Sequence, residues 1–413
     1  MKRLPLVAAG LAAALSVALS GSAATTVLGS GRPAPTAQLL ALSHTEAAAA
    51  SERAFAQDLV AALAAEHSGN LVVSPASIFD ALSLLAPGAR GQTSAQLTRA
   101  LHAAGSSRQL IADLVGLEQH LGTADGTVAM ASAAWLQQSY QIVSGYRQLL
   151  TDAGAAPQAL DFISDPDGAR QTINQWVLGH TGNRIDNLFA PGTISDTTRL
   201  VLANAVALTA QWVTPFPQRD TQDAPFTTPA GPRSVPTMNL VTSMEYVQTA
   251  DAQAVRLPYA TGGLDALVVL SADTAADPLT LLGRLPGITS QLSSHAVQLA
   301  MPRFAAETST DLRSSLGALG LADLFRFPDL SGIAGAPGDL RVAWAVHKAW
   351  MSVDEAGTKA SAATGISVET GAALIRQPIR MTVDRPFLFV VEDTATGVPL
   401  FVARITEPHP EGS

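Results

Sequence analysis

The chain has 413 residues, 47% of them hydrophobic and 14% charged, with a formal net charge of −9. That apolar fraction supports a large buried core, and the acidic balance argues against nucleic-acid or anionic-membrane partners. No cysteine is present, which excludes disulfides, thiolate metal sites and a thiol-borne lipid.

Residues 1–24 read as a secretory signal. Lys2 and Arg3 form a basic n-region, Leu4–Leu19 an apolar core, and Ser22, Ala23 and Ala24 a small-residue cleavage site. The alternative is an uncleaved membrane anchor; no other segment is long and apolar enough to span a bilayer. Loss of the leader removes Lys2 and Arg3 and takes the net charge from −9 to −11. Residues 25–46, with the run GSGRPAPT, read as a flexible linker, and 47–410 as one folded domain. An extracellular location is expected.

From Ala47 a helical pattern places Phe55, Leu59, Ala62 and Leu63 on one face. Leu71–Val73 is a short apolar strand. Ser74 as N-cap and Pro75 at the first helical position then start a helix through Ile78, Leu82 and Leu85. Strands are expected over Val128–Leu136, Leu200–Trp212, Ser243–Tyr246, Ala266–Leu270, Val297–Met301, Arg341–Met351, Met381–Val391 and Pro399–Ile405, and a helix over Gly168–His180. Helices dominate the first half and strands the second, without βαβ alternation, so the fold class is α+β. No internal repeat is visible.

Enzyme signatures are missing. The chain has no G-x-S-x-G, H-E-x-x-H, P-loop or strand-linked G-x-G-x-x-G. Its three lysines, Lys2, Lys348 and Lys359, do not follow a serine at Ser-x-x-Lys spacing, and its eight histidines are scattered. No metal and no cofactor are expected. A Ser/His/Asp triad assembled from distant segments is the one enzymatic arrangement that sequence order leaves open.

The stretch Asp354–Ile379, DEAGTKASAATGISVETGAALIRQPI, is composed as a loop but patterned as a strand. Thr358, Ala360, Ala362, Thr364, Ile366, Val368 and Thr370 are small or β-branched. The other parity, Lys359 to Glu369, is polar or small. One face is fit for burial and the other for water. Long loops in compact domains are usually functional, and this one suits a segment with two states.

Asn70–Leu97 (NLVVSPASIFDALSLLAPGARGQTSAQL) resembles the opening motif of the serpins. Ile173–Ile185 (INQWVLGHTGNRI), Leu200–Phe216 (LVLANAVALTAQWVTPF) and Leu299–Phe325 (LAMPRFAAETSTDLRSSLGALGLADLF) resemble later serpin segments in the right order. Val346–Thr364 (VHKAWMSVDEAGTKASAAT) looks like the hinge of the reactive-centre loop, and MTVDRPFLFVV like the segment that follows it. The resemblance runs from about Ser51 to Pro408. It implies one domain with a large central sheet, two smaller sheets and about nine helices.

The resemblance also implies a suicide-substrate inhibitor of serine proteases. The target cleaves the exposed loop at about 355–380, is held as an acyl-enzyme, and is trapped when the cut loop enters the central sheet. The hinge is then Glu355, Gly357, Thr358, Ala360, Ala362 and Thr364. Arg303, Trp212, Ser74, Ser77, Asn204 and His347 match the region where the sheet opens, with Arg303 a partner for Glu355. Lys359, Ala210 and Ala403 depart from the pattern, and the last two read as packing variants. The scissile bond falls at Gly371-Ala372, with Ala372-Ala373 and Leu374-Ile375 as alternatives. Small residues there suit an elastase-like or subtilisin-like target, and Leu374 a chymotrypsin-like one. Expected partners are such a serine protease, held covalently, and also a papain-like cysteine protease; the protein itself is expected to be monomeric. The rival reading is a non-inhibitory serpin acting as carrier, chaperone or storage protein.

Overall fold

The computed structural model describes residues 45–103, 105–120, 128–155, 157–260, 263–358 and 377–410, with the backbone alone at 117–120 and 128–131. Its helices are α1 (Thr45–Glu66), α2 (Pro75–Leu85), α3 (Gly91–Ala100), α4 (Ser107–His120), α5 (Ser144–Asp152), α6 (Pro166–His180), α7 (Leu285–Thr289) and α8 (Arg313–Leu316). The strands are β1 (Leu71–Val73), β2 (Val128–Gln137), β3 (Gln158–Leu160), β4 (Leu200–Leu208), β5 (Ala210–Gln211), β6 (Gln222–Thr228), β7 (Gly231–Gln248) and β8 (Ala252–Pro258). They continue with β9 (Leu264–Ser271), β10 (Ser293–Pro302), β11 (Phe304–Asp311), β12 (Val342–Val353), β13 (Gly357–Thr358), β14 (Ile379–Thr382), β15 (Phe387–Asp393) and β16 (Pro399–Ile405). No described helix is long and apolar enough to cross a membrane.

Local chemistry explains the element boundaries. Ser74 caps α2: its hydroxyl accepts from the Ser77 amide at 3.3 Å, and Pro75 takes the first turn, where its missing N–H costs nothing. Every residue of α2 is buried, so it is a core helix without a wet face. The helix expected from Gly168 begins at Pro166, because Asp165 is the true cap and accepts from the Gly168 amide at 2.9 Å. The run Met381–Val391, expected as one strand, is two. Pro386 precedes β15, and a proline cannot donate to a central ladder. The halves pair differently: β14 lies parallel to β10, whereas β15 lies between β9 and β16.

One sheet runs β3-β2-β4-β12-β13-β5, with β11 also on β12; the other runs β1-β16-β15-β9-β8-β7-β10-β14, with β6 on β7. The two smaller sheets expected from the resemblance are continuous through β7. Its first residues pair with β6, its middle with β10 and its last with β8. β4, β9, β15 and β16 are buried along their whole length, which is why they read as unbroken apolar runs. The sheets are stitched together by edge-to-face contacts of Phe304 with Phe387 at 5.7 Å and Phe389 at 5.4 Å. α1 packs Phe55, Leu59 and Leu63 into a second cluster with Leu200 and Leu202 of β4 and Leu388 and Val390 of β15, and α6 buries Ile173 and Val177 against the other face of the first sheet.

Candidate functional site

β4 and β12 are parallel neighbours, in continuous register from Val201 with Trp344 to Ala207 with Trp350, after a one-residue irregularity that follows the Leu200–Val342 pair. Register therefore sets Asn204 beside His347, and the antiparallel β2 puts Ser132 on the other side of Asn204. The first turn of α2 lies against this row. The Ser77 hydroxyl donates to Asn204 Oδ1 at 2.9 Å, and Asn204 Nδ2 donates to Ser77 O at 2.6 Å and to Ser132 Oγ at 2.8 Å. His347 Nε2 accepts from the Ser74 amide at 3.1 Å, and Nδ1 donates to Asn204 Oδ1. Ser74, Ser77, Asn204 and His347 are all buried, and together they form a satisfied polar network.

The two bonds of His347 fix a neutral ring with its proton on Nδ1. Burial pushes its pKa down to about 3, and a proton on Nε2 would face the Ser74 N–H with no acceptor available. The ring therefore serves as a neutral hydrogen-bonding link between Ser74 and Asn204.

Above Trp350 the pairing changes. After Val353 the chain turns over Asp354, whose carboxylate accepts from the amides of Ala356 (2.8 Å) and Gly357 (3.2 Å). It returns as β13, with Thr358 opposite Val353 on one side, and Gly357 and Thr358 opposite Gln211 and Ala210 on the other. A two-residue strand thus stands between β12 and β5 at the mouth of the sheet. Gly357 has φ +156°, and a Cβ there would lie 2.0 Å from Ala210 O and 2.7 Å from the Gln211 Cα. Only glycine fits. Thr358 is fully buried and its hydroxyl is hydrogen-bonded to Tyr259 at 2.7 Å. Burial pushes the Tyr259 hydroxyl up, so it stays neutral.

Trp212 closes the same corner. Its ring stacks on Tyr259 at 4.5 Å, its Nε1 donates to Asp354 O at 3.1 Å, and its amide donates to Ala356 O. The nearly buried Glu355 carboxylate accepts from Thr221 Oγ1 at 2.6 Å and lies 3.5 Å from Arg303 Nε. Arg303 Nε makes no hydrogen bond, so that contact is Coulombic.

The structure thus gathers the sequence-selected residues into two places. Ser74, Ser77, Asn204 and His347 lie beneath the sheet; Trp212, Arg303, Glu355, Gly357 and Thr358 lie at its mouth. Ala360, Ala362, Thr364 and the bond candidates Gly371, Ala372, Ala373, Leu374 and Ile375 fall outside the described residues. Ser132, Thr221, Tyr259 and Asp354 are further participants that the sequence reading did not select. An Asp followed at short spacing by Gly after a strand is a turn signal, so Asp354 was legible; the others meet the site through long-range register.

A family model described as Serpin (serine protease inhibitor) matches residues 50–408. The leukocyte elastase inhibitor of Bos taurus is 32% identical over 383 residues, covering 88% of this chain and 100% of that protein. A serine protease inhibitor of Cyanea capillata is 31% identical, over 82% of this chain and 92% of its own length. Among solved structures, a serpin of the insect Tenebrio molitor superposes with TM-score 0.78 at 27% identity, over 87% of this chain and 98% of its own. Uncleaved ovalbumin does so with TM-score 0.76 at 25%, over 88% and 100%.

Two expectations follow from this geometry. Gly357→Ala should eject β13 from its slot; hydrogen exchange at the Trp212 amide, which donates to Ala356 O, should accelerate by tenfold or more. The unfolded chain binds a proton at His347 below the ordinary pKa of 6.5 whereas the folded chain resists until about pH 3. Stability is therefore full above pH 6.5 and falls through that window, by a few kcal/mol on the order of 1.4 kcal/mol per pKa unit. Denaturant unfolding at pH 7.5 and pH 4.5 measures the loss, and His347→Gln should flatten it.

Proposed function

The chain belongs to the serpin family, and on that premise we propose that it is a secreted suicide-substrate inhibitor of serine proteases. The loop after Thr358 is the bait. Cleavage at Gly371-Ala372, or at one of the neighbouring bonds through Leu374-Ile375, leaves the protease as an acyl-enzyme on the new C-terminus. The hinge then extends β13 between β4 and β12. The relatives from Bos taurus and Cyanea capillata are named as inhibitors of leukocyte elastase and of serine proteases, and the small residues at the bait bond fit an elastase-like or subtilisin-like pocket. Leu374 fits a chymotrypsin-like one, and papain-like cysteine proteases are further candidates because they share the acyl-enzyme. The leader at 1–24 supports export.

The observation that carries this reading is the two-residue strand Gly357–Thr358. It pairs with both neighbours of the gap that a longer strand would fill. Continuing by twos from Thr358 brings Ala360, Ala362 and Thr364 to the inward face, all small and uncharged. Fourteen added residues would span roughly 45 Å at about 3.3 Å each. No Arg or Pro occurs between Gly357 and Gly371, so no forced buried guanidinium and no missing ladder donor blocks the path. Glu355 and Arg303 act as a clasp at the mouth, and the Ser77–Asn204–His347 network is the set of bonds that must rearrange as β4 and β12 part.

Mixing the protein with elastase-like, subtilisin-like, chymotrypsin-like and trypsin-like proteases tests the proposal. A denaturant-resistant complex with at least one of the first three is expected, together with a raised Tm of the cleaved product; sequencing the released C-terminal peptide identifies the bond. Clean cleavage by all four, with no complex and no gain in Tm, would sink the inhibitor reading in favour of a non-inhibitory carrier, chaperone or storage role. Because Thr358 is already buried in the uncleaved chain, Thr358→Arg should force an unpaired guanidinium into the mouth at a cost of several kcal/mol, ejecting β13 and leaving a substrate that is cut without complex formation.

A further inference from the structure

A cavity of about 520 Å³ opens beside the sheet mouth, between β7 and β8. That volume is in the range of small-molecule sites, and the mixture of an apolar floor with a few convergent polar groups is the usual composition of such sites. The floor is Trp212, Leu240, Met244 and Leu257. Glu245, Arg256 and Asp265 stand along one wall.

The charges on that wall do not balance. Strand register sets Glu245 opposite Arg256 and Glu392 opposite Asp265, so two like charges face each other across the ladder, an unfavourable arrangement. One guanidinium serves all three carboxylates: Arg256 Nη1 lies 3.0 Å from Glu245, Nε 3.3 Å from Asp265, and Nη2 3.1 Å from Glu392. Burial raises the Asp265 carboxyl above its ordinary range, and Glu245 and Asp393 push it further the same way against the pull of Arg256. An apolar cavity beside an excess of negative charge suits an occupant with an apolar body and one positive charge.

We propose that this cavity binds a small organic ammonium ion, its charge beside the half-exposed Glu245 carboxylate on the Asp265 wall and its aromatic or aliphatic body on Trp212, Leu240 and Leu257. The site is coupled to the hinge by contact. The Trp212 indole that lines the cavity stacks on Tyr259, and Tyr259 holds the Thr358 hydroxyl. An occupant that immobilises the indole stabilises β13 in its slot; the consequence for protease trapping rests on the inhibitor reading above, but binding and hinge protection do not.

Isothermal titration of the full chain with tryptamine, and with indole-3-propionate as its match in shape and opposite in charge, tests the proposal without any protease. Saturable one-to-one binding of tryptamine is expected, at least tenfold tighter than indole-3-propionate. Glu245→Gln, at a half-exposed position, should weaken it threefold or more, and Asp265→Asn further. Hydrogen exchange at the Trp212 amide should slow at least threefold when tryptamine is bound. Equal affinity for the two probes, no saturable binding, or affinity unchanged by Glu245→Gln overturns the site; binding with unchanged exchange at Trp212 overturns the coupling.

Discussion

Parallel pairing between β4 and β12 is the contact on which the behaviour proposed for this protein depends. It is made of backbone ladder bonds between the fully buried β4 and a β12 on which Trp344, Lys348 and Trp350 are half-buried, with no covalent link across it, and parallel ladders are slightly less stable per residue than antiparallel ones. What stiffens it is polar. Ser132, Asn204 and His347 lie in one row across three strands, and the first turn of α2 supplies Ser74 and Ser77 to complete it. A satisfied buried network specifies one geometry sharply. Leaving even one of its groups unpaired costs about 1–3 kcal/mol. The strands are thus held in one arrangement yet can separate wherever new partners replace the old.

At the mouth the chain uses size instead of charge. Glu355 and Arg303 form an ion pair, but the arginine is partly exposed and contributes no hydrogen bond through Nε; such pairs are worth little more than about 1 kcal/mol. The tighter limits are steric: no Cβ is tolerated at Gly357, and Thr358 fits because its short branched side chain meets the Tyr259 hydroxyl. Trp212 joins these pieces by stacking, by its indole N–H and by its backbone amide, so a disturbance at any one of them reaches the others. The cavity that Trp212 lines lies at the end of this chain of contacts, which is why the ligand proposed there bears on the hinge.

The amino-acid sequence by itself determined the α+β class, the cap and core character of α2, the fully buried strands and the alternation after Thr358, because each follows from short-range periodicity and local backbone chemistry. The alternation that starts at Thr358 was also legible by residue type, whereas Glu355 and Gly357 were singled out by the resemblance to the serpin hinge. Tertiary structure alone decided the rest. Pro386 divides one apparent strand into two that join different neighbours, and β7 makes two small sheets continuous. Strand register, set across tens to hundreds of residues, brings Ser132 beside Asn204 and stations Tyr259 over Thr358. The same long-range pairing stacks three carboxylates around Arg256. No local pattern encodes which residue of one strand faces which residue of another, and the hinge, the network and the cavity are all made of such pairings.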